Sequence, residues 1–297
     1  MQQTTRRFQF VQLDVFTSRP LEGNPLAVFP DARGLSDAEM QALARETNLS
    51  ETTFVIPRDA ATERERGHRV RIFTVQEELP FAGHPTLGTA TVLRGMSGAD
   101  VIWLDLKVGK IPVRFRDEHG LAFGEMQQRD PEFGALHQRE AVARATGLKI
   151  EDIDPELPIQ DVSTGLTFTI VPLRRLAILQ QLRLDWGRAA EYLRRDIPTR
   201  FFYFVCRETV DPSARLHARM IFYNGEDPAT GSAAGCAAAW MVAHGVAQPE
   251  ESVVIEQGLE ARRPSRITVR ATRKDDRIVN VRVGGNAVEV MRGEVFL

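Results

Sequence analysis

An internal repeat constrains this chain more than any other feature. Slid on itself by 148 residues, the stretch 71–90 falls on 219–238, and Arg71 meets Arg219, Glu78 meets Glu226, Pro80 meets Pro228, Gly83 meets Gly231 and Ala90 meets Ala238. An offset of 148 in 297 residues describes two nearly equal halves. Repeated motifs at a fixed spacing mean a repeated supersecondary unit, so each half is expected to bury a similar core. A chain of this size buries roughly 75% of its unfolded surface, so neither disulfides nor a metal are needed to hold it.

The order of predicted elements repeats with the motifs. In the first half, strands at 8–15 and 25–29 precede a helix at 37–46 opened by the capping signature Ser36-x-x-Glu39. Strands at 52–56 and 68–74 follow, then a loop, a helix of small residues near 85–94, and strands through Gln127. The second half opens with a connecting helix at 138–146 and runs through strands at 160–163 and 167–171, a helix at 186–194, and strands at 201–206 and 215–222. A second loop leads to a small-residue helix at 232–244 and further strands. This pattern predicts an α+β protein of two similar domains, 1–127 and 128–297, with the last strand free to cross back to the first domain. The small helices, rich in Thr86, Gly88, Thr89 and Ala90 or in Ala233–Ala239, can be closely surrounded by sheet.

Charge narrows the partners. Lys plus Arg is 38 and Asp plus Glu is 40, a formal net charge of -2, which supplies no attraction for nucleic acid or an acidic membrane. After Arg6 and Arg7 the residues from Phe8 to Val15 alternate, as a strand does and a signal peptide does not. No window approaches the roughly 20 apolar residues of a membrane span. Two cysteines, Cys206 and Cys236, exclude a disulfide framework and fit a reducing cytoplasm.

Chemistry is expected at the starts of the two small helices. Each follows an acidic, proline-containing loop, Glu78-Leu79-Pro80-Phe81-Ala82-Gly83-His84-Pro85 and Glu226-Asp227-Pro228-Ala229-Thr230-Gly231-Ser232. A helix start offers unpaired N–H groups and a positive dipole end, so two of them can clamp one small anion such as a carboxylate. No Lys follows Gly231, which disfavours a phosphate loop. His84, Asp227 and Ser232 can move protons or orient a ligand. Singly each is an ordinary loop, turn or cap residue; together, at repeated loops, they suggest one site. Glu51, where a helix gives way to a strand, adds a carboxylate in one half only, since the 148 offset lands on Thr199. A partly buried Glu can have its pKa raised toward working pH.

The residues Phe16-Thr17, Gly23-Asn24-Pro25-Leu26-Ala27-Val28-Phe29, Ser50-Glu51-Thr52-Thr53-Phe54 and both helix-start loops resemble the PhzF-like phenazine biosynthesis family over both halves. The resemblance implies a diaminopimelate epimerase-like fold: two domains related by a pseudo-twofold repeat, each a curved, mostly antiparallel sheet around a central helix, with the active site in the cleft between them. It also implies a homodimer and catalysis without cofactor. By the same resemblance Glu51 is the catalytic acid/base, His84 and Asp227 hold the substrate and assist proton movement, and Gly83, Gly231 and Ser232 are helix-start contacts.

Diaminopimelate epimerase and proline racemase use paired cysteines at the two loops, and here those loops hold none. One carboxylate can move a proton between two carbons on one face, whereas inversion of a centre needs groups on both. The expected activity is therefore a cofactor-independent proton-shift isomerase acting on a small carboxylate. A non-catalytic binding protein using the same cleft, or an epimerase-like enzyme, stands as the alternative. A metal held by His84 with Glu51 or Asp227 lacks the usual closely spaced His or Cys pair.

Overall fold

Two helices, Gly83–Ser97 and Gly231–Ala243, lack a polar face over much of their length, so each must be enclosed by its half of the chain. The computed structural model describes residues 5–118, 120–194, 200–222 and 225–297. The chain divides into two compact units, Met1–Gln127 with Gly284–Leu297, and Gln128–Val283.

The first unit runs β1 (Arg7–Val15), β2 (Asn24–Phe29), α1 (Asp37–Thr47), β3 (Glu51–Ile56), α2 (Ala60–Arg66), β4 (His68–Phe73), β5 (Glu78–Leu79), α3 (Gly83–Ser97), β6 (Val101–Leu106), β7 (Gly109–Glu118) and β8 (Leu121–Gln127). β1 pairs antiparallel with β2, β2 parallel with β3, β3 antiparallel with β4, β4 antiparallel with β5 and parallel with β6, and β6, β7 and β8 form a meander. α3 touches β1, β2, β3, β6, β7 and β8. On the other face of β2 and β3, Phe29 and Phe54 stack at 4.9 Å beneath Met40, Leu43 and Ala44 of α1. The predicted cap holds: Ser36 accepts from Glu39 N–H while Glu39 accepts from Ser36 N–H at 2.8 Å.

The second unit runs β9 (Glu132–His137), α4 (Arg139–Thr146), β10 (Ile159–Ser163), β11 (Thr167–Leu173), α5 (Leu176–Gln181), α6 (Trp186–Leu193), β12 (Arg200–Cys206), β13 (Leu216–Phe222), β14 (Gly225–Asp227), α7 (Gly231–Ala243), β15 (Val253–Gln257) and β16 (Ser265–Lys274). From β10 to β16 the pairing sequence is antiparallel, parallel, antiparallel, antiparallel, parallel, antiparallel, the order met from β1 to β7. α7 is buried from Gly231 to Val242 and touches β10, β11 and β16. α4, α5 and α6 cover the opposite side through Val142, Leu179, Ala189 and Leu193, packed with Phe202 and Phe204. β17 (Arg277–Phe296) starts in this unit, and its portion from Gly284 onward lies in the first, where it pairs with β1 and β8.

Small residues in the buried helices answer to contact distance. A Cβ on Gly88 would stand 2.5 Å from Leu26 Cδ2 and 2.9 Å from Val15 Cγ2, both on fully buried side chains. Gly88→Ala is therefore expected to cost about 1–3 kcal/mol by overpacking, read as a lower urea midpoint at unchanged slope. A midpoint at or above that of the native chain would show that Leu26 and Val15 have room to move.

Candidate active site

Strand alternation sets the first half of the site. Thr53 of β3 hydrogen-bonds Thr89 of α3 at 2.8 Å, so Glu51, two residues earlier, shares the α3 face. β2 runs parallel to β3 with Leu26 opposite Glu51; Leu26 packs at Gly88, and Asn24, two residues before it, shares that face. Both strands thus start over the first turn of α3, whose second residue is His84. His84 Nε2 lies 3.5 Å from Glu51 Oε2, and Asn24 Nδ2 lies 3.1 Å from His84 Nδ1. The His84 side chain is 3% exposed and that of Glu51 15%. α3 starts at Gly83 after Ala82, which caps it with no side chain, so its first N–H groups depend on partners outside the helix.

The other residues expected from sequence, Asp227, Gly231 and Ser232, lie in the second unit. Asp227 ends β14, opposite Met220, and accepts a 2.6 Å hydrogen bond from the Thr230 hydroxyl. Gln257, at the end of β15, donates to the Asp227 carbonyl at 2.7 Å and to Thr230 Oγ1 at 2.9 Å, and accepts from Tyr203 at 3.0 Å. Gly258, at φ +81°, lets the chain pass here, since a Cβ would lie 2.4 Å from the Pro228 carbonyl oxygen. α7 starts at Gly231 after Thr230, and Ser232 is a buried residue of its first turn. The Gly231 carbonyl accepts from the buried Gln128 side chain at 2.9 Å.

The repeated Arg and Glu pin both loops in the same way. Arg71 grips Glu78 through Nε at 2.9 Å and a terminal nitrogen at 2.7 Å, tying β5 to β4 ahead of α3. Arg219 grips Glu226 through the equivalent atoms, both at 2.7 Å, tying β14 to β13 ahead of α7. Ladder register corrects one expectation about the repeat. Phe54 lies opposite Arg71 and Phe204 opposite Arg219, so the position matching Glu51 is Phe201, not Thr199. The loop between β3 and β4 is longer than that between β12 and β13, which breaks the 148 offset there. Thr199 itself lies outside the described residues. The asymmetry survives the correction, because Phe201 carries no acid either.

Sequence reasoning missed Asn24 and Gln257 as polar members of these clusters. Each had a faint signal: an Asn held between Gly23 and Pro25 at a strand start, and a Gln before Gly258 at a strand end. Both cysteines lie in the second unit, where burial pushes the Cys206 thiol up to about 11 and the Cys236 thiol up to about 12. Neither is an activated thiolate at neutral pH. Among the described residues, no three His, Cys, Asp or Glu side chains cluster as a metal-ligand set, and no helix is long and apolar enough to cross a membrane.

Burial pulls the His84 pKa down to about 3, so the ring is neutral at physiological pH. Unfolded, the same group titrates near 6.5. Between about 6.5 and 3 the unfolded chain binds a proton that the folded chain refuses, so stability falls with acidification by up to about 1.4 kcal/mol per pH unit. Above that window His84 is neutral in both states and contributes no slope. His84→Gln is expected to flatten this acid limb, measured as Tm against pH from about 7 to about 4.5; an unchanged slope would show that other groups carry it.

Comparison with known proteins gives the geometry its family. The model of the phenazine biosynthesis-like protein family matches residues 13–293. An uncharacterized isomerase of Mesorhizobium japonicum is 39% identical over 97% of this chain and 98% of its own length. A trans-2,3-dihydro-3-hydroxyanthranilate isomerase of Pseudomonas chlororaphis is 36% identical over 97% of this chain and 99% of its own. The crystal structure of a PhzF-family phenazine biosynthesis protein from Bacillus anthracis superposes with a TM-score of 0.87 at 30% identity, covering 98% of this chain and all of that one. Sequence, fold and the named activities of its relatives agree: the chain belongs to the PhzF-like phenazine biosynthesis family and is an isomerase.

Proposed function

We propose that this isomerase moves a proton between two carbons of a small carboxylate-bearing substrate, with Glu51 as the acid/base and without a cofactor. The observation that carries this reading is the Glu51 carboxylate beside the buried, neutral His84 at the first turn of α3. A carboxylate there can take a proton from one carbon and return it to another on the same face. The charge that develops on the substrate is met by N–H groups at helix starts, which are already oriented when the charge appears. In this reading the two units are duplicated domains, 1–127 and 128–297, related by a pseudo-twofold axis with β17 crossing back. At their helix starts Gly83, Gly231 and Ser232 hold the substrate, and Asp227 orients it. A diaminopimelate epimerase-like fold, a homodimer and a reducing cytoplasm, where two buried thiols persist, belong to the same reading.

The relative from Pseudomonas chlororaphis names a probe. Turnover of trans-2,3-dihydro-3-hydroxyanthranilate in deuterium oxide is expected to leave solvent deuterium on carbon in the native chain's product and none above background with Glu51→Gln, read by mass spectrometry. Label that persists undiminished in Glu51→Gln would remove Glu51 from the proton path.

A further inference from the structure

The imidazole at the candidate active site is hydrogen-bonded on one side, by Asn24, and lies on the other at 3.5 Å from the Glu51 carboxylate without a hydrogen bond between them. An amide nitrogen only donates, so Asn24 Nδ2, 3.1 Å from His84 Nδ1, requires a bare Nδ1. A carboxylate only accepts, and Glu51 Oε2, 3.5 Å from Nε2, calls for a proton on that nitrogen. We propose that Asn24 is a positioning residue that fixes His84 as the Nε2–H tautomer, so that the ring turns an N–H and not a lone pair toward Glu51 and carries no proton through the reaction.

The backbone holds Asn24 firmly enough for this task. The loop ahead of it turns through three left-handed residues, Phe16 at φ 64°, Leu21 at φ 69° and Gly23 at φ 69°. A bulky, fully buried Phe in that region is costly and persists only where its surroundings enforce it. Here Phe16 N–H donates to the Asn286 carbonyl at 2.8 Å, and the buried Asp14 carboxylate accepts from Leu21 N–H at 2.6 Å. A Cβ on Gly23 would meet the Val15 carbonyl oxygen at 2.4 Å. Asn24 then pairs with Val15 across β1 and β2, and it is completely buried. Nothing in this frame leaves its amide to drift.

The tautomer divides the chemical work. With Nδ1 engaged by a donor and burial opposing a second proton, His84 has no basic site to offer. A proton leaving a substrate carbon goes to the Glu51 carboxylate and returns from it to the second carbon, and the imidazole is unchanged throughout. This division of labour rests on the reading of Glu51 as the acid/base, whereas the tautomer itself does not.

The experiment therefore reads the tautomer without substrate. The ligand-free full chain is labelled with 15N-histidine, and long-range proton–nitrogen spectra are recorded from about pH 8 to about pH 5, where an ordinary His gains its proton. His84 is assigned by the signal lost in His84→Gln. The expected result is a proton on Nε2, a bare Nδ1 and no titration in that range. In Glu51→Gln the same tautomer is expected, because Asn24 is still in place. In Asn24→Asp a carboxylate faces Nδ1, and a proton is expected on that nitrogen. A native Nδ1–H ring, a tautomer that flips in Glu51→Gln, or an Nε2–H ring with bare Nδ1 in Asn24→Asp would each overturn the proposal. Should Asn24→Asp fail to fold, the native and Glu51→Gln spectra still decide it. The deuterium experiment can fail while these spectra hold, and the reverse, so the two ideas fall separately.

Discussion

Glu51→Gln is expected to isomerise trans-2,3-dihydro-3-hydroxyanthranilate about 10²–10⁴-fold more slowly than the native chain, with KM changed far less. The amide has nearly the shape of the carboxylate, so β3, its pairing with β2 and the Thr53–Thr89 contact have no reason to move. What changes is basicity, since an amide takes no proton from carbon at neutral pH. Glu51→Asp keeps the base and withdraws it by one methylene, and a displacement on this scale is expected to cost on the order of 10²-fold. The order native, Asp, Gln in steady-state kcat is the signature of a base acting at fixed range. Equal kcat for native and Gln would mean that another group takes the proton.

The second large effect is on stability, and it differs between the two copies of one ion pair. Arg219 is 3% exposed and, besides Glu226, donates to the carbonyls of Leu179 at 2.7 Å, Gln180 at 3.2 Å and Leu182 at 3.1 Å around the end of α5. Arg219→Met leaves Glu226 without its guanidinium and strips three carbonyls of a donor at once, and a loss of about 3–5 kcal/mol is expected. Arg71 is 16% exposed, its further partner Asp37 lies at the exposed first turn of α1, and Glu78 also pairs with Lys107 at 2.7 Å. In Arg71→Met that lysine remains, so about 1–2 kcal/mol is expected. Urea unfolding of both variants checks the ranking. Equal losses would mean that the α5 carbonyls contribute nothing.

Which features were legible in the sequence follows from what periodicity can encode. Helix α1 was readable to within a residue because Ser36 and Glu39 mark its start and Met40, Leu43 and Ala44 form its buried stripe. β5 and β14 were not, because strands of two and three residues have no period; only their repeated Arg and Glu partners mark them. α2 buries no residue and is held by its Asp59 cap, so hydrophobic patterning was silent about it. At the candidate site, Glu51 and His84 stood out as titratable groups in marked loops, and the structure sets them 3.5 Å apart. Asn24 and Gln257 did not, because a neutral amide acquires a role only from what it touches. A fixed offset also fails wherever loop lengths diverge, which is why Glu51 pointed to Thr199 and the ladders point to Phe201.

The pairing of β1 with β17 joins residues from opposite ends of the numbering, Arg7 opposite Phe296, with Arg6 and Leu297 exchanging backbone hydrogen bonds at 2.8 and 3.0 Å. On the ribosome this inverts the order of completion. The segment that supplies Glu51 and His84 emerges early and must wait with one flank of β1 open while Gln128–Val283 is made, roughly 10–30 s at ordinary elongation rates. An open strand flank invites pairing with other nascent chains. The unit synthesised first is thus the last to close, and slow elongation through the second half lengthens its exposure to misassembly.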